Sequence, residues 1–130
     1  MSDIAVDTSA LVEVMIDGPE AQAMRAGLNA STVAFVTSIT RVEAAFVMIG
    51  RFGWTRPQFD QAWESLGVEE LPVDSEVATV AIDAFEAWGK GRGTAGLNFG
   101  DCVSYALAAA RRLPLLFVGE DFARTDVGQA

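Results

Sequence analysis

With 130 residues and 51% hydrophobic side chains, the chain has material for one core and is expected to form a single domain over residues 1–130. It has no histidine and one cysteine, Cys102, which excludes His-based acid–base catalysis, Ser-His-Asp triads, His-ligated zinc, an internal disulfide framework and a Cys metal cluster. A net charge of −9 opposes phosphate binding unless divalent cations offset part of it, so any catalysis falls to carboxylates, hydroxyls, a few basic groups or a hard metal ion held by oxygen.

The chain opens with the apolar run Ile4-Ala5-Val6, which predicts a strand ending at Asp7. Thr8 or Ser9 is the expected N-cap of a helix carrying Leu11, Val12, Met15 and Ile16. Gly18-Pro19 breaks it, and a second helix is expected from Glu20 to about Leu28. Val33 to Val36 reads as the second strand, closed by Thr37 and Ser38. From Ile39 the period changes, and Val42, Ala45, Phe46 and Ile49 define one apolar helix face. Gly50 and Gly53 weaken its end, and Pro57 opens a helix containing Phe59, Trp63 and Leu66. Val68 to Val73 fits a third strand, and Ser75-Glu76 starts a helix running through Val77, Val80, Ala81, Ala84, Phe85 and Trp88. Gly89 to Gly96 is a loop rich in glycine and positive charge. Gly100-Asp101 leads into a helix with Val103, Leu107 and Ala110, ending near Arg111-Arg112, before the strand Leu115 to Val118.

Helices alternating with short apolar strands predict an α/β domain around a parallel sheet. No apolar run approaches the roughly 20 residues of a membrane span, and Asp3 and Asp7 stand where a signal peptide needs a basic flank and an apolar run. A soluble, cytoplasmic protein is expected.

In parallel sheets functional residues gather at the carboxyl ends of the strands. Asp7 ends the first strand, Glu43 lies in the first turns after the second, Asp101 starts the helix before the last, and Asp121 follows the last. Each has an ordinary alternative: a cap for Asp7, a helix-dipole partner for Asp101, a solvated helix face for Glu43, a loop acid for Asp121. Converging, they would repel one another and raise each other's pKa, a penalty that a divalent cation removes. Oxygen-only ligation points to Mg²⁺, with Mn²⁺ as a substitute, rather than zinc.

Val6-Asp7-Thr8-Ser9-Ala10-Leu11, then Glu43, then Gly96-Leu97-Asn98-Phe99-Gly100-Asp101-Cys102, then Phe117-Val118-Gly119-Glu120-Asp121-Phe122 with Thr125-Asp126 resemble the PIN-domain toxins of VapBC toxin–antitoxin systems. The likeness runs in order over essentially the whole chain. It implies a three-layer α/β/α fold and a metal-dependent endoribonuclease, with Asp7, Glu43 and Asp101 as the core acids and Asp121 as the fourth. Glu120 and Asp126 lie close enough to compete for that fourth place. The resemblance also implies an RNA substrate and a cognate antitoxin that covers an apolar groove and pushes a basic side chain into the acidic pocket.

A metal held there would lower the pKa of a bound water and stabilise charge on the phosphate. Thr8, Ser9 and Ser38 stand where they could orient a water or a carboxylate. Lys90 and Arg92, in the glycine-rich loop, and Arg41 are candidates for the RNA backbone, with Arg124 a further one. The segment Gly91-Arg92-Gly93-Thr94-Ala95-Gly96 matches a dinucleotide-binding pattern but follows a helix instead of a strand, so that reading fails. Leu11, Met15, Phe46, Met48, Ile49, Phe52 and Trp54 are more large apolar side chains than one small core hides. Part of this set is expected to form a groove for an antitoxin or for a second copy of the chain in a homodimer. Competing readings are a nuclease of the same fold in RNA processing or DNA repair, an Mg-binding phospho-acceptor signalling module, and a binding protein with an inactive site. The phospho-acceptor scaffold needs an acid pair at the end of the first strand and a lysine after the last strand, and the only lysine here is Lys90.

Overall fold

The structure is a computed structural model that describes residues 2–92 and 95–130. Four strands, β1 (Ile4–Val6), β2 (Ala34–Thr37), β3 (Glu69–Leu71) and β4 (Leu115–Leu116), form a parallel sheet in the order β3-β2-β1-β4. The register sets Ile4 against Ala34, Ala5 against Leu115, and Phe35 against Glu69.

Alternation along the strands loads both faces. Ala5, Leu115 and Phe117 pack with α5 (Ser75–Trp88) and α6 (Phe99–Arg111) through Ala84, Tyr105 and Leu107. Ile4, Val6, Val36 and Leu116 pack on the other face with α1 (Thr8–Met15), α2 (Ala21–Ala30) and α4 (Arg56–Ser65) through Leu11, Leu28 and Trp63. Strands buried on both faces read as unbroken apolar runs, and they require helices on each side. The result is the three-layer α/β/α arrangement that the family resemblance implied. No helix among the described residues is long and apolar enough to cross a membrane.

The chain moves outward from β1 to β2 and β3, then returns to place β4 on the other flank of β1. That reversal leaves a crevice at the carboxyl ends of β1 and β4, where ligands bind in open parallel sheets. Asp7 sits at its edge.

Several element boundaries differ from expectation. The N-cap of α1 is Asp7 itself, whose side chain accepts from the Ser9 N–H, and not Thr8 or Ser9. Helix α6 begins at Phe99 with Asn98 as N-cap, because Asn98 and Asp101 exchange side-chain to backbone hydrogen bonds in a capping box; Asp101 is thus inside the first turn. Asp74, one residue before the expected start, caps α5. The apolar helix after β2 divides into α3 (Ser38–Ala45) and a π-helical segment, Phe46–Arg51, which turns Phe46 outward and buries Met48. The last strand is shorter than predicted, ending at Leu116, and the backbone N–H of Val118 beyond it is held by the Ser9 hydroxyl at 3.0 Å instead of by a strand.

Candidate active site

Asp7 is 3% exposed at the end of β1. Its Oδ2 accepts the Ser9 N–H at 3.1 Å, whereas Oδ1 is buried with no hydrogen-bond partner. Burial raises its pKa above the ordinary carboxyl value, partly offset by Ser104, Ser9 and the Thr8 backbone. Ser104, one turn beyond Asp101 on α6, lies against this carboxylate outside hydrogen-bond geometry, and its Oγ is likewise buried without a partner.

Glu43 projects from α3 and is half-buried. The Thr8 hydroxyl donates a short hydrogen bond to its Oε1. Burial raises the Glu43 pKa, the Thr8 bond opposes that rise, and the Asp7 charge adds to it. Its carboxylate lies against Gly100, where a Cβ of any other residue would overlap it. The glycine before Asp101 therefore lets the start of α6, the positive end of that helix dipole, close on Glu43.

Asp101, also buried, has its pKa pushed up to about 7. Burial is the main cause, opposed by the Asn98 backbone N–H and reinforced by the charges of Asp7, Asp121 and Glu43. The structure thus brings Asp7, Glu43 and Asp121 within electrostatic reach of Asp101. Asp121 is exposed on the turn after β4. Its two rivals differ from it: the Tyr105 hydroxyl donates a short hydrogen bond to Asp126, and Glu120 is not among the charges acting on Asp101.

Two of the predicted helpers point elsewhere. The Arg41 guanidinium pairs with Glu70 of β3 at 2.6 and 3.3 Å, and the Ser38 hydroxyl donates to the same carboxylate at 2.9 Å. Sequence reasoning gave them phosphate and carboxylate partners at the site; a strand neighbour holds both instead. The Thr8 hydroxyl meets Glu43, whereas Ser9 meets Asp7 through its backbone N–H and its hydroxyl accepts from the Val118 N–H. Lys90 is exposed beside Asn98 and Phe99 on an apolar groove of about 670 Å³ between α5 and the start of α6. The Arg92 guanidinium lies over the Phe85 ring, 5.9 Å from its centroid. Gly93 and Thr94 of the same loop lie outside the described residues. Arg124 is exposed on the turn after Phe122.

Of the expected groove set, Leu11 and Met48 are fully buried, while Phe46 is 74% exposed and Ile49 and Phe52 also face outward. Part of the set is therefore surface, as anticipated. The residue that sequence reasoning missed is Ser104, whose only signal was its position one helical turn after Asp101.

Among the described residues, no three acidic side chains stand close enough together to form a ready-made metal cage. The donor set nonetheless fits Mg²⁺, which keeps several of its waters and takes one or two carboxylates directly. The unpartnered Asp7 Oδ1 is an oxygen available to such an ion.

The PIN domain sequence profile matches residues 4–128, so the chain belongs to the PIN-domain family. Within it the chain belongs with the VapC ribonucleases. It is 38% identical over 125 residues to ribonuclease VapC30 of Mycobacterium tuberculosis, with 95% of each chain covered. It is 39% identical over 125 residues to ribonuclease VapC of Mycolicibacterium smegmatis, covering 95% of this chain and 97% of that one. The fold matches the crystal structure of Mycobacterium tuberculosis VapC20, a sarcin-ricin loop cleaving toxin, with a TM-score of 0.76 at 16% identity over 98% of both chains. A toxin–antitoxin complex from Klebsiella pneumoniae gives 0.69 at 20% identity, covering 95% of this chain and 92% of that one.

Proposed function

We propose that this VapC-type ribonuclease is a toxin that hydrolyses RNA phosphodiester bonds inside the chain of its substrate, with a divalent cation held by Asp7, Glu43, Asp101 and Asp121. The observation that carries this reading is the set of buried, mutually repelling carboxylates around Asp7, one of whose oxygens has no partner. Burying such acids is costly unless a positive charge compensates them. When bound, Mg²⁺, or Mn²⁺ in its place, supplies a Lewis acid that makes hydroxide available near neutral pH and offsets charge on the phosphate.

The chain's own residues do the rest. Asp7, fixed by β1 and by the Ser9 N–H, and Asp101, fixed by its capping box, hold ligand oxygens on rigid elements. Glu43, oriented by Thr8, places a third carboxylate where it can hold a water or accept its proton. Asp121 adds a fourth charge from its exposed turn. Lys90 and Arg92 offer positive charge to the RNA backbone beside the start of α6.

Residues 1–130 are read as one catalytic domain, acting in the cytoplasm where its RNA is found. Its exposed apolar side chains, Phe46, Ile49, Phe52, Ile82, Phe85 and Phe99, support protein partners: a second copy of the chain and an antitoxin that covers the acidic crevice. The test is incubation of the purified protein with a structured RNA and its DNA counterpart, with Mg²⁺ or with EDTA. Internal cleavage of the RNA alone, and only with the cation, is expected. Cleavage of DNA flaps, or RNA cleavage undiminished by EDTA, contradicts the reading.

A further inference from the structure

Ser104 sits one turn into α6 from Asp101, 1% exposed, in a stretch from Gly100 to Ala108 that is buried throughout. Alanine would fill that space as well, so packing does not explain a hydroxyl there. A serine inside a helix usually either faces solvent or donates to the carbonyl one turn back. Ser104 does neither: its Oγ has no partner. It lies instead against the carboxylate of Asp7, whose Oδ1 is the other buried side-chain atom without a partner among the described residues. An unpaired buried polar group is costly, and two of them meeting at one point across α6 and β1 mark a contact that is completed by something further.

We propose that Ser104 is a positioning residue for the cation site: its hydroxyl donates to Asp7 Oδ1 and aims that oxygen at the cation. A carboxylate oxygen has two acceptor sites, so one can take the hydroxyl and the other the ion. Together with the Ser9 N–H on Oδ2, this fixes the carboxylate from both ends. Asp101 and Ser104 then act from one helix face, the first as a ligand and the second through Asp7. Groups that orient a metal ligand set its affinity, and their removal costs about 10- to 100-fold in binding. The inference rests on the cation reading proposed above, and its test separates the two.

Mn²⁺ is titrated calorimetrically into the wild-type protein and Ser104→Ala, and melting is followed in EDTA. The expected result is that Ser104→Ala melts in EDTA within a few degrees of wild type and binds Mn²⁺ about tenfold more weakly or worse. Its RNA cleavage should need correspondingly more Mn²⁺ but approach the wild-type rate at saturation, a split that a merely structural role would not produce. Unchanged Mn²⁺ affinity in Ser104→Ala overturns the inference and leaves the cation reading standing. Affinity lost together with the fold in EDTA overturns it too, because the hydroxyl is then structural. A wild-type protein that binds no Mn²⁺ overturns both.

Discussion

Gly100→Ala isolates the contact between the start of α6 and Glu43. The new Cβ would overlap the Glu43 carboxylate, which is the far end of a flexible side chain and can swing away. Alanine in place of glycine favours a helix by about 0.5–1 kcal/mol. Against this, the charged hydrogen bond from Thr8 to Glu43 is lost, at about 1.5–3 kcal/mol. Moving Glu43 into water also relieves the burial that raises its pKa, which returns part of that loss. The net change is about 1 kcal/mol, a few degrees in melting temperature. The effect on chemistry should be far larger, because a displaced ligand costs about 100-fold or more in rate. Gly50→Ala is the control, since a Cβ there meets nothing within 4 Å. Single-turnover RNA cleavage at saturating Mg²⁺, with thermal melts of both variants, reads the outcome. Wild-type cleavage by Gly100→Ala would show that the position of Glu43 against α6 is immaterial. Collapse of its fold would show that the overlap is not absorbed by the side chain.

The pH dependence follows from Asp101. An acid whose folded pKa is raised from 3.8 to about 7 supports the fold below the first value and loses that contribution as pH rises through the second. Metal-free wild type should therefore lose stability over that interval relative to Asp101→Asn in denaturant titrations, and equal slopes would refute the assignment. Because a cation competes with that proton, Mg²⁺ affinity should rise as pH passes about 7, measured by calorimetry at several pH values. Asp7→Asn should raise the melting temperature in EDTA, since a buried carboxylate without a full set of partners is removed, while abolishing cleavage. Asp121→Ala, altering an exposed turn residue, should leave measurable cleavage where Asp7→Ala leaves none, and equal loss in both would place Asp121 at the centre of the site.

The positions of the four acids near one another were legible because each stands at a punctuated point of the chain: a strand end, the first turns after a strand, the first turn of a helix, a glycine turn after the last strand. Alternation of helix and strand patterns was enough to predict an α/β domain around a parallel sheet, while the three layers came from the family resemblance. Local pattern could not show the fate of Arg41 and Ser38, because their partner Glu70 belongs to a strand far along the chain. Nor could it show the π-helical segment, since Phe46 and Ile49 continue the helical period of Val42 while the backbone winds differently. Asp7 displaced Thr8 as the cap because it keeps the extended backbone of the strand end and its carboxylate reaches the Ser9 N–H, while Thr8 is already helical. Ser104 went unseen for a related reason. Its meaning depends on how α6 is rotated against β1, which packing across the sheet decides.

The most direct test of the carboxylate and cation reading is single-turnover cleavage of one RNA by wild type and Glu43→Gln, each with saturating Mg²⁺ and with EDTA. Circular dichroism checks the fold of the variant. Cleavage by wild type with Mg²⁺ alone, and a rate at least about 100-fold lower for a folded Glu43→Gln, is the expected result. Full activity of either protein in EDTA, or of Glu43→Gln with Mg²⁺, would contradict it.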